Sequence, residues 1–492
     1  MLLTLALTAA LSNPAACENL KSLSLPNTTI TSAQPVAAGP FTPPAAPGAG
    51  GPASAPLQLP PHCRVSAVAK PSPDSNIEFE VWLPENWNGK FEAVGGGGWA
   101  GVISYPAMSV AVQEGYATAS TDTGHKGGNA LFTIDHPEKL TDFAYRAIHE
   151  MTVQAKAIIS AYYSRAPRLS YFNGCSTGGR QGLMEAQKFP EDFDAIVAGA
   201  PANYQTHLHV WDLSVSVPVL KNPAAAVSAE KLALVNKAVL EACDARDGIR
   251  DGILNEPRAC RFDVSTLQCK QGDSATCLTA AQVEAVQRVY EPAKTASGDV
   301  VFPGKEYGSE TGWIGVLGGQ QAPGVSVGSF IAAYNDAKWD AKTFDLNRDL
   351  KAVDEKVGVP VNAINPDLRA FKARGGKLIL YHGWNDTAIS PGNTINYYSS
   401  VLSKMGGKQD DFVRLFMAPG MQHCGGGPGP NQINWMAALE RWKESGITPN
   451  QVEAVHITNN RVDMTRPLCA YPQQAAYTGT GTTNDAQNFV CK

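Results

Sequence analysis

Apolar and polar residues alternate along 77–83 (Ile-Glu-Phe-Glu-Val-Trp-Leu), which predicts a strand with one buried face. Apolar runs at 90–94, 116–121, 168–173, 194–198, 376–381 and 412–417 predict further strands, bounded by glycine, proline or asparagine turns. Between them the apolar period lengthens. Phe143, Ile148, Val153, Ile158 and Ile159 recur at helical spacing over 141–163, and helical runs follow at 177–189 and 432–443. Strands alternating with helices predict an α/β architecture around a parallel sheet. From about 203 to 365 the pattern loosens into helical pieces (229–243, 279–290) and proline turns. That is too long for a connecting loop, so an inserted lid is expected over 203–365, with the core of the fold in 17–202 and 366–492. Its scattered aromatics, Trp211, Tyr307, Trp313, Phe330, Tyr334 and Trp339, would suit an aromatic substrate, but the commoner use is the lid's own core. The proline-rich stretch 34–61 reads as an extended surface loop.

Composition narrows the class. A chain of 492 residues exceeds one ordinary domain, and 43% hydrophobic with 17% charged residues is the balance of a soluble globular protein. A net charge of -5 argues against a nucleic-acid or anionic-membrane partner. Ten cysteines without a C-x-x-C pair argue against zinc ribbons and thioredoxin-like redox motifs, and for five disulfides made in an oxidising compartment. The apolar first ten residues, followed by Pro14-Ala15-Ala16, predict a signal peptide over 1–16, although a basic start is missing. No other stretch is long and apolar enough to cross a membrane, so a secreted or periplasmic protein is expected.

The chemistry centres on Gly174-Cys175-Ser176-Thr177-Gly178, a G-x-S-x-G sequence between a predicted strand and a predicted helix. That context makes a sharp turn that lifts the serine clear of the sheet as a nucleophile. The first helical amide, Thr177, and one of the glycines at 95–96, in the run Gly95 to Gly98 after an early strand, are placed to hold an oxyanion. Serine needs a base, and the base an orienting carboxylate. Asp386 and His423 each follow a predicted strand, and the chain order Ser, Asp, His is that of α/β-hydrolases. His382 sits at the very end of its strand and precedes the carboxylate, so it is the poorer base. Asp122 and His125 share one loop and read as local hydrogen-bonding groups; His207 and His209 fall in the lid and are not expected to catalyse. Cys175 and Cys424 flank the nucleophile and the base. If the triad forms they come close, as two buried thiols or as a disulfide that favours the native arrangement by about 4–5 kcal/mol in the chain-entropy model.

Asp244, Asp247 and Asp251 fall within eight residues, separated by Asp-Gly turns. Carboxylates at this density repel unless a cation or hydrogen bonds hold them, and hard oxygens suit Ca²⁺. The spacing is not that of an EF-hand, and a solvated acidic turn is the plainer alternative.

Three pieces together, Gly-Cys-Ser-Thr-Gly-Gly-Arg (174–180), Cys-Asp-x-x-Asp-Gly-x-x-Asp-Gly (243–252) and Gly-Met-Gln-His-Cys (420–424), resemble the tannase and feruloyl esterase family of secreted serine esterases over essentially the whole chain. The resemblance implies an α/β-hydrolase fold with a large lid and the triad Ser176, Asp386 and His423. It implies oxyanion amides at Thr177 and Gly95. It implies disulfides Cys175–Cys424, Cys17–Cys63, Cys243–Cys260, Cys269–Cys277 and Cys469–Cys491. It also implies a structural Ca²⁺ in the lid, held by Asp244, Asp247 and Asp251 and the carbonyls of Ile249 and Ile253. The substrate it implies is a small aromatic ester or feruloylated saccharide, with gallate esters second. The family includes a hydrolase of mono(2-hydroxyethyl) terephthalate. That enzyme has a glutamate after its serine where this chain has Thr177, which weakens the terephthalate reading. A calcium-stabilised binding module that has lost activity is the alternative of a different class. The presence of all three triad residues speaks against it.

Overall fold

The computed structural model describes residues 14–44, 55–99 and 101–492. Of the expected signal peptide, residues 1–13 lie outside the described residues, and Pro14–Asn19 form a short helix that carries Cys17.

Nine strands form one sheet: β1 (Thr28–Val36), β2 (His62–Ala69), β3 (Ile77–Pro84), β4 (Lys90–Val94), β5 (Ala117–Thr121), β6 (Leu169–Cys175), β7 (Ala195–Gly199), β8 (Lys377–Gly383) and β9 (Val413–Ala418). Their order is β1-β2-β3-β5-β4-β6-β7-β8-β9. The first three strands and the step to β5 are antiparallel; from β5 to β9 every pairing is parallel. Parallel strands need covered crossovers, and helices α1 (Tyr105–Gln113), α2 (Ala147–Tyr163) and α3 (Thr177–Lys188) supply the first of them. With helices on both faces, central strands are buried throughout, which is why β7 (Ala-Ile-Val-Ala-Gly) shows no alternation. This is an α/β-hydrolase sheet, and its parallel half ends every strand on one edge.

Between β7 and β8 the chain leaves the sheet for a largely helical insertion with α4 (Gln205–Lys221), α5 (Ala229–Cys243), α6 (Ala280–Tyr290) and α7 (Gly324–Tyr334). It has its own buried cluster, in which Trp211, Trp313 and Phe330 are almost wholly enclosed. Phe330 stacks on Trp339 at 4.6 Å, and Tyr290 packs on Tyr307 at 4.3 Å. The aromatics of this segment therefore build its interior.

The sheet resumes with β8, α8 (Pro391–Lys404) and β9, followed by α9 (Trp435–Ser445) and the hairpin β10 (Gln451–Thr458) and β11 (Arg461–Cys469). Residues 34–61 differ from the expected loop. Pro35 lies within β1, at the sheet edge where a missing amide is tolerated, and residues 39–41 pair with 57–59. Residues 45–54 of this stretch lie outside the described residues. All ten cysteines are paired as expected: Cys17–Cys63, Cys175–Cys424, Cys243–Cys260, Cys269–Cys277 and Cys469–Cys491.

Candidate active site

Ser176 stands between β6 and α3 with φ 65° and ψ -124°, a conformation that a non-glycine residue holds only under constraint. The constraint is visible. Its amide donates to the Gly199 carbonyl at 3.0 Å, and its own carbonyl accepts from the amides of Arg180 and Ala202 at 3.0 and 3.1 Å. The two glycines of the motif face each other: a Cβ on Gly174 would sit 2.6 Å from the backbone of Gly178. Arg180, fully buried, fixes the helix by donating to the carbonyls of Ala144 (2.7 Å) and Val361 (3.2 Å). It is a positioning residue that composition and periodicity did not single out.

The glycine run after β4 reaches over this turn. A Cβ on Gly95 would lie 2.6 Å from the Gly178 Cα, so the run and the nucleophile helix touch backbone to backbone. Gln181 Oε1 accepts from the Gly96 amide at 3.0 Å, and Thr177 Oγ1 donates to the Gly98 carbonyl at 2.8 Å. One expectation is corrected here. The Gly95 amide donates to the Asn173 carbonyl at 3.0 Å, extending the β4–β6 ladder, so it is not free for an oxyanion. The Gly96 amide is likewise engaged. Within the run it is Gly98 that lines the cavity beside Ser176, while among the described residues no acceptor pairs with the Thr177 amide.

Asp386 and His423 follow β8 and β9. The two loops are tied together, since the Asn385 amide donates to the Met421 carbonyl at 3.0 Å. His423 Nδ1 donates to Asp386 Oδ2 at 2.7 Å. Asp386 Oδ1 accepts from the amides of Ala388 and Ile389, both at 2.8 Å. His382 Nε2 lies 3.0 Å from Asp386 Oδ2 and 3.2 Å from the Ile389 carbonyl. Both neighbours are acceptors, so Nε2 carries the proton, and Nδ1 accepts from Thr394 Oγ1 at 2.7 Å. With both nitrogens occupied and no exposed surface, His382 supports Asp386 and cannot serve Ser176. Burial opposes charge on Asp386, but the imidazoles of His423 and His382 outweigh it and hold its carboxyl well below the usual carboxylate range.

Ser176, Thr177 and His423 open together onto a cavity of about 480 Å³. The core contributes Gly98 and the stretch Thr387 to Ile389; the insertion contributes Gln205, Leu208, His209 and Asp212 from α4 and a wall from Val316 to Ser326. His209 is thus nearer the chemistry than expected. It pairs with Ser329 Oγ at 2.7 Å, and burial pulls it down to about 3, so it is a neutral wall group. His207 pairs with Asp354 at 3.0 Å outside the cavity, and Asp122 and His125 bond to backbone around Gly124 and Trp99. Asn385, next to Asp386, is buried, with Nδ2 donating to the Gly308 carbonyl at 2.7 Å.

The aspartate loop after α5 gathers carboxylate oxygens that a cation could use. Asp244 Oδ1 is buried without a partner. Three of the other oxygens accept from nearby amides: Asp244 Oδ2 from Gly252, Asp247 Oδ1 from Ile249, and Asp251 Oδ1 from Ile253. Burial, then the charges of Asp251 and Asp244, push Asp247 up to about 6. Arg466 meets Asp251 Oδ2 at 3.0 Å. An all-oxygen set with one orphaned carboxylate oxygen fits a hard cation. Among the described residues the trio whose ligand atoms lie within 4.8 Å of one another is His149, Glu185 and Asp192, at the far end of α3. There burial, then the neighbouring Asp192, raise Glu185 well above its usual range.

Residues 63–492 match the family model described as tannase and feruloyl esterase. An uncharacterized esterase of Xanthomonas campestris pv. campestris is 38% identical, over 99% of this chain and 92% of that protein. A probable feruloyl esterase B-2 of Aspergillus terreus is 34% identical, over 87% of this chain and 86% of its own length. The crystal structure of feruloyl esterase B from Aspergillus oryzae superposes with a TM-score of 0.92 at 30% identity, covering 97% of this chain and all of that one.

Proposed function

The chain belongs to the tannase and feruloyl esterase family, and from that premise we propose that it is a serine carboxylesterase acting on aromatic, hydroxycinnamoyl-type esters. The observation that carries this reading is the cavity that Ser176 and His423 line together, with His423 oriented by an ionised Asp386. Ser176 Oγ attacks the ester carbonyl while His423 Nε2 takes its proton. Asp386 holds the tautomer that leaves Nε2 free and stabilises the imidazolium. The oxyanion is held by the Thr177 amide, with the second donor assigned to Gly98 in place of Gly95. His423 returns the proton to the departing alcohol. A water deprotonated by His423 then releases the acid and restores the serine.

The feruloyl esterase names of the relatives, and a cavity of about 480 Å³ beside Ser176 with several aliphatic wall residues, support the feruloyl reading. Gallate esters are the second choice, because tannases share the family. Hydrolysis of methyl ferulate, methyl gallate and mono(2-hydroxyethyl) terephthalate by the purified, oxidised protein tests it. Methyl ferulate is expected to have the highest kcat/KM. A preference for either of the others would overturn the substrate while keeping the serine mechanism. Five disulfides favour an oxidising, extracellular setting, and among the described residues no helix is long and apolar enough to cross a membrane.

Calcium belongs to the same proposal. Asp244, Asp247 and Asp251, with the carbonyls of Ile249 and Ile253, would hold it, and it would neutralise three like charges in the insertion that roofs the active site. Chelation with EDTA is expected to lower Tm by several degrees, and added Ca²⁺ to restore it, as for any ion bound only by the folded state. An unchanged Tm would remove the ion from the proposal.

A further inference from the structure

The cavity beside Ser176 mixes aliphatic and polar side chains, and among the described residues Asp212 is the one carboxylate that lines it. Gln205, Leu208, His209 and Asp212 share one face of α4, at spacings of three, four and seven residues. The helix begins at the nucleophile, where the Ala202 amide donates to the Ser176 carbonyl at 3.1 Å. From Gln205 to Asp212 the axis advances roughly 10 Å at 1.5 Å per residue. Asp212 therefore lines the cavity about two helical turns from the end of α4 nearer the nucleophile, a spacing that suits the ring end of an extended acyl group.

Asp212 is only 9% exposed. Its Oδ2 accepts from the Ser326 hydroxyl at 2.6 Å, and Ser326 is itself buried. Among the described residues Oδ1 has no partner, yet it is not one of the sealed polar atoms of the interior, so it is the oxygen left to the cavity. Lys305 lies behind, its ammonium 4.8 Å from the Trp211 ring and paired with no acceptor. Burial pushes Asp212 up to about 6 against the pull of Lys305 and Ser326, which leaves a carboxylate at neutral pH.

We propose that Asp212 is a specificity-determining residue that accepts a hydrogen bond from a free phenolic hydroxyl on the acyl group, so that the preferred substrates are esters of hydroxylated aromatic acids. This rests on the aromatic-ester reading above. An acyl group without the hydroxyl leaves a desolvated carboxylate unpaired, which a site built for a donor rejects. A terephthalate monoester brings a second carboxylate toward the first, and like charges in a buried site repel.

The test compares kcat/KM for methyl 4-hydroxycinnamate and methyl cinnamate, which differ by that hydroxyl alone, in wild type, Asp212→Leu and Asp212→Asn. Wild type is expected to favour the hydroxylated ester by about tenfold or more, and Asp212→Leu to bring the ratio near one. Asp212→Asn, which loses only the charge, is expected to raise mono(2-hydroxyethyl) terephthalate hydrolysis relative to methyl cinnamate by about tenfold. Each readout is a ratio within one enzyme, so a general loss of active protein cancels. A wild type indifferent to the hydroxyl, or ratios unchanged in both variants, would overturn the role of Asp212. Failure of the underlying reading looks different: wild type would hydrolyse p-nitrophenyl acetate but neither cinnamate.

Discussion

Ser176→Ala is expected to lower kcat on an aromatic methyl ester by about 10⁶-fold, and Asp386→Asn by about 10⁴-fold, with both proteins folded. The serine effect follows from removing the only group placed to attack. The aspartate effect follows from how its two oxygens are used. Oδ1 accepts from two backbone amides, Ala388 and Ile389, which cannot move away. In the asparagine variant the carbonyl oxygen must stay there, and the amide nitrogen then faces His423 and His382. A donor now meets the Nδ1–H of His423. The imidazole escapes the clash by shifting its proton to Nε2, the atom that has to accept from Ser176. Catalysis is lost through the tautomer while the packing persists. Circular dichroism and Tm would establish that each variant is folded. Asp386→Asn activity within tenfold of wild type would mean that some other group orients His423.

Breaking Cys175–Cys424 is expected to cost about 5 kcal/mol of stability in the chain-entropy model and to lower kcat by about 10²-fold, the largest effect of the five disulfides. The bond joins residues 249 apart, against separations of 46, 17, 8 and 22 for the others, and loop entropy grows with length. It also joins two strained residues' neighbourhoods. Ser176 and Cys424 both hold positive φ, 65° and 62°, and each lies one residue from, or within, the linkage. Released, the serine turn and the histidine loop relax independently, and a misplacement of about 1 Å suffices for the rate loss. Urea unfolding and ester kinetics of Cys175→Ser/Cys424→Ser, beside Cys269→Ser/Cys277→Ser as the short-loop comparison, check both parts. Equal losses in the two pairs would show that loop length and proximity to the triad do not matter.

Much of this site was legible before the fold was seen. Ser176, Asp386 and His423 announce themselves because each follows an apolar run and stands in hydrolase order. In a parallel sheet, strand ends gather on one edge whatever the details between them. The cysteine pairs followed from a resemblance, since pairing cannot be read from spacing alone. The glycine run after β4 shows where backbone can approach closely, and the resemblance points to Gly95 within it, but neither tells which amides remain free. That depends on register, and the ladder takes Gly95 to Asn173. Arg180 and Asp212 left no periodic signal, because a single buried charge on an otherwise packed helix looks like any surface residue in a sequence.

The sequence by itself determined the sheet, the nucleophile turn and the chemistry, since short apolar runs bounded by turns and glycines at a strand–helix junction are local constraints each residue imposes on its own backbone. Tertiary structure alone decided how His382 is closed off from the serine, that the Gly95 and Gly96 amides are already engaged, and that Asp212 lines the cavity. These depend on who stands opposite whom across hundreds of residues: His382 is closed off by Thr394 and Ile389, and Asp212 is held by Ser326. Such contacts are made by packing, and no local pattern carries them.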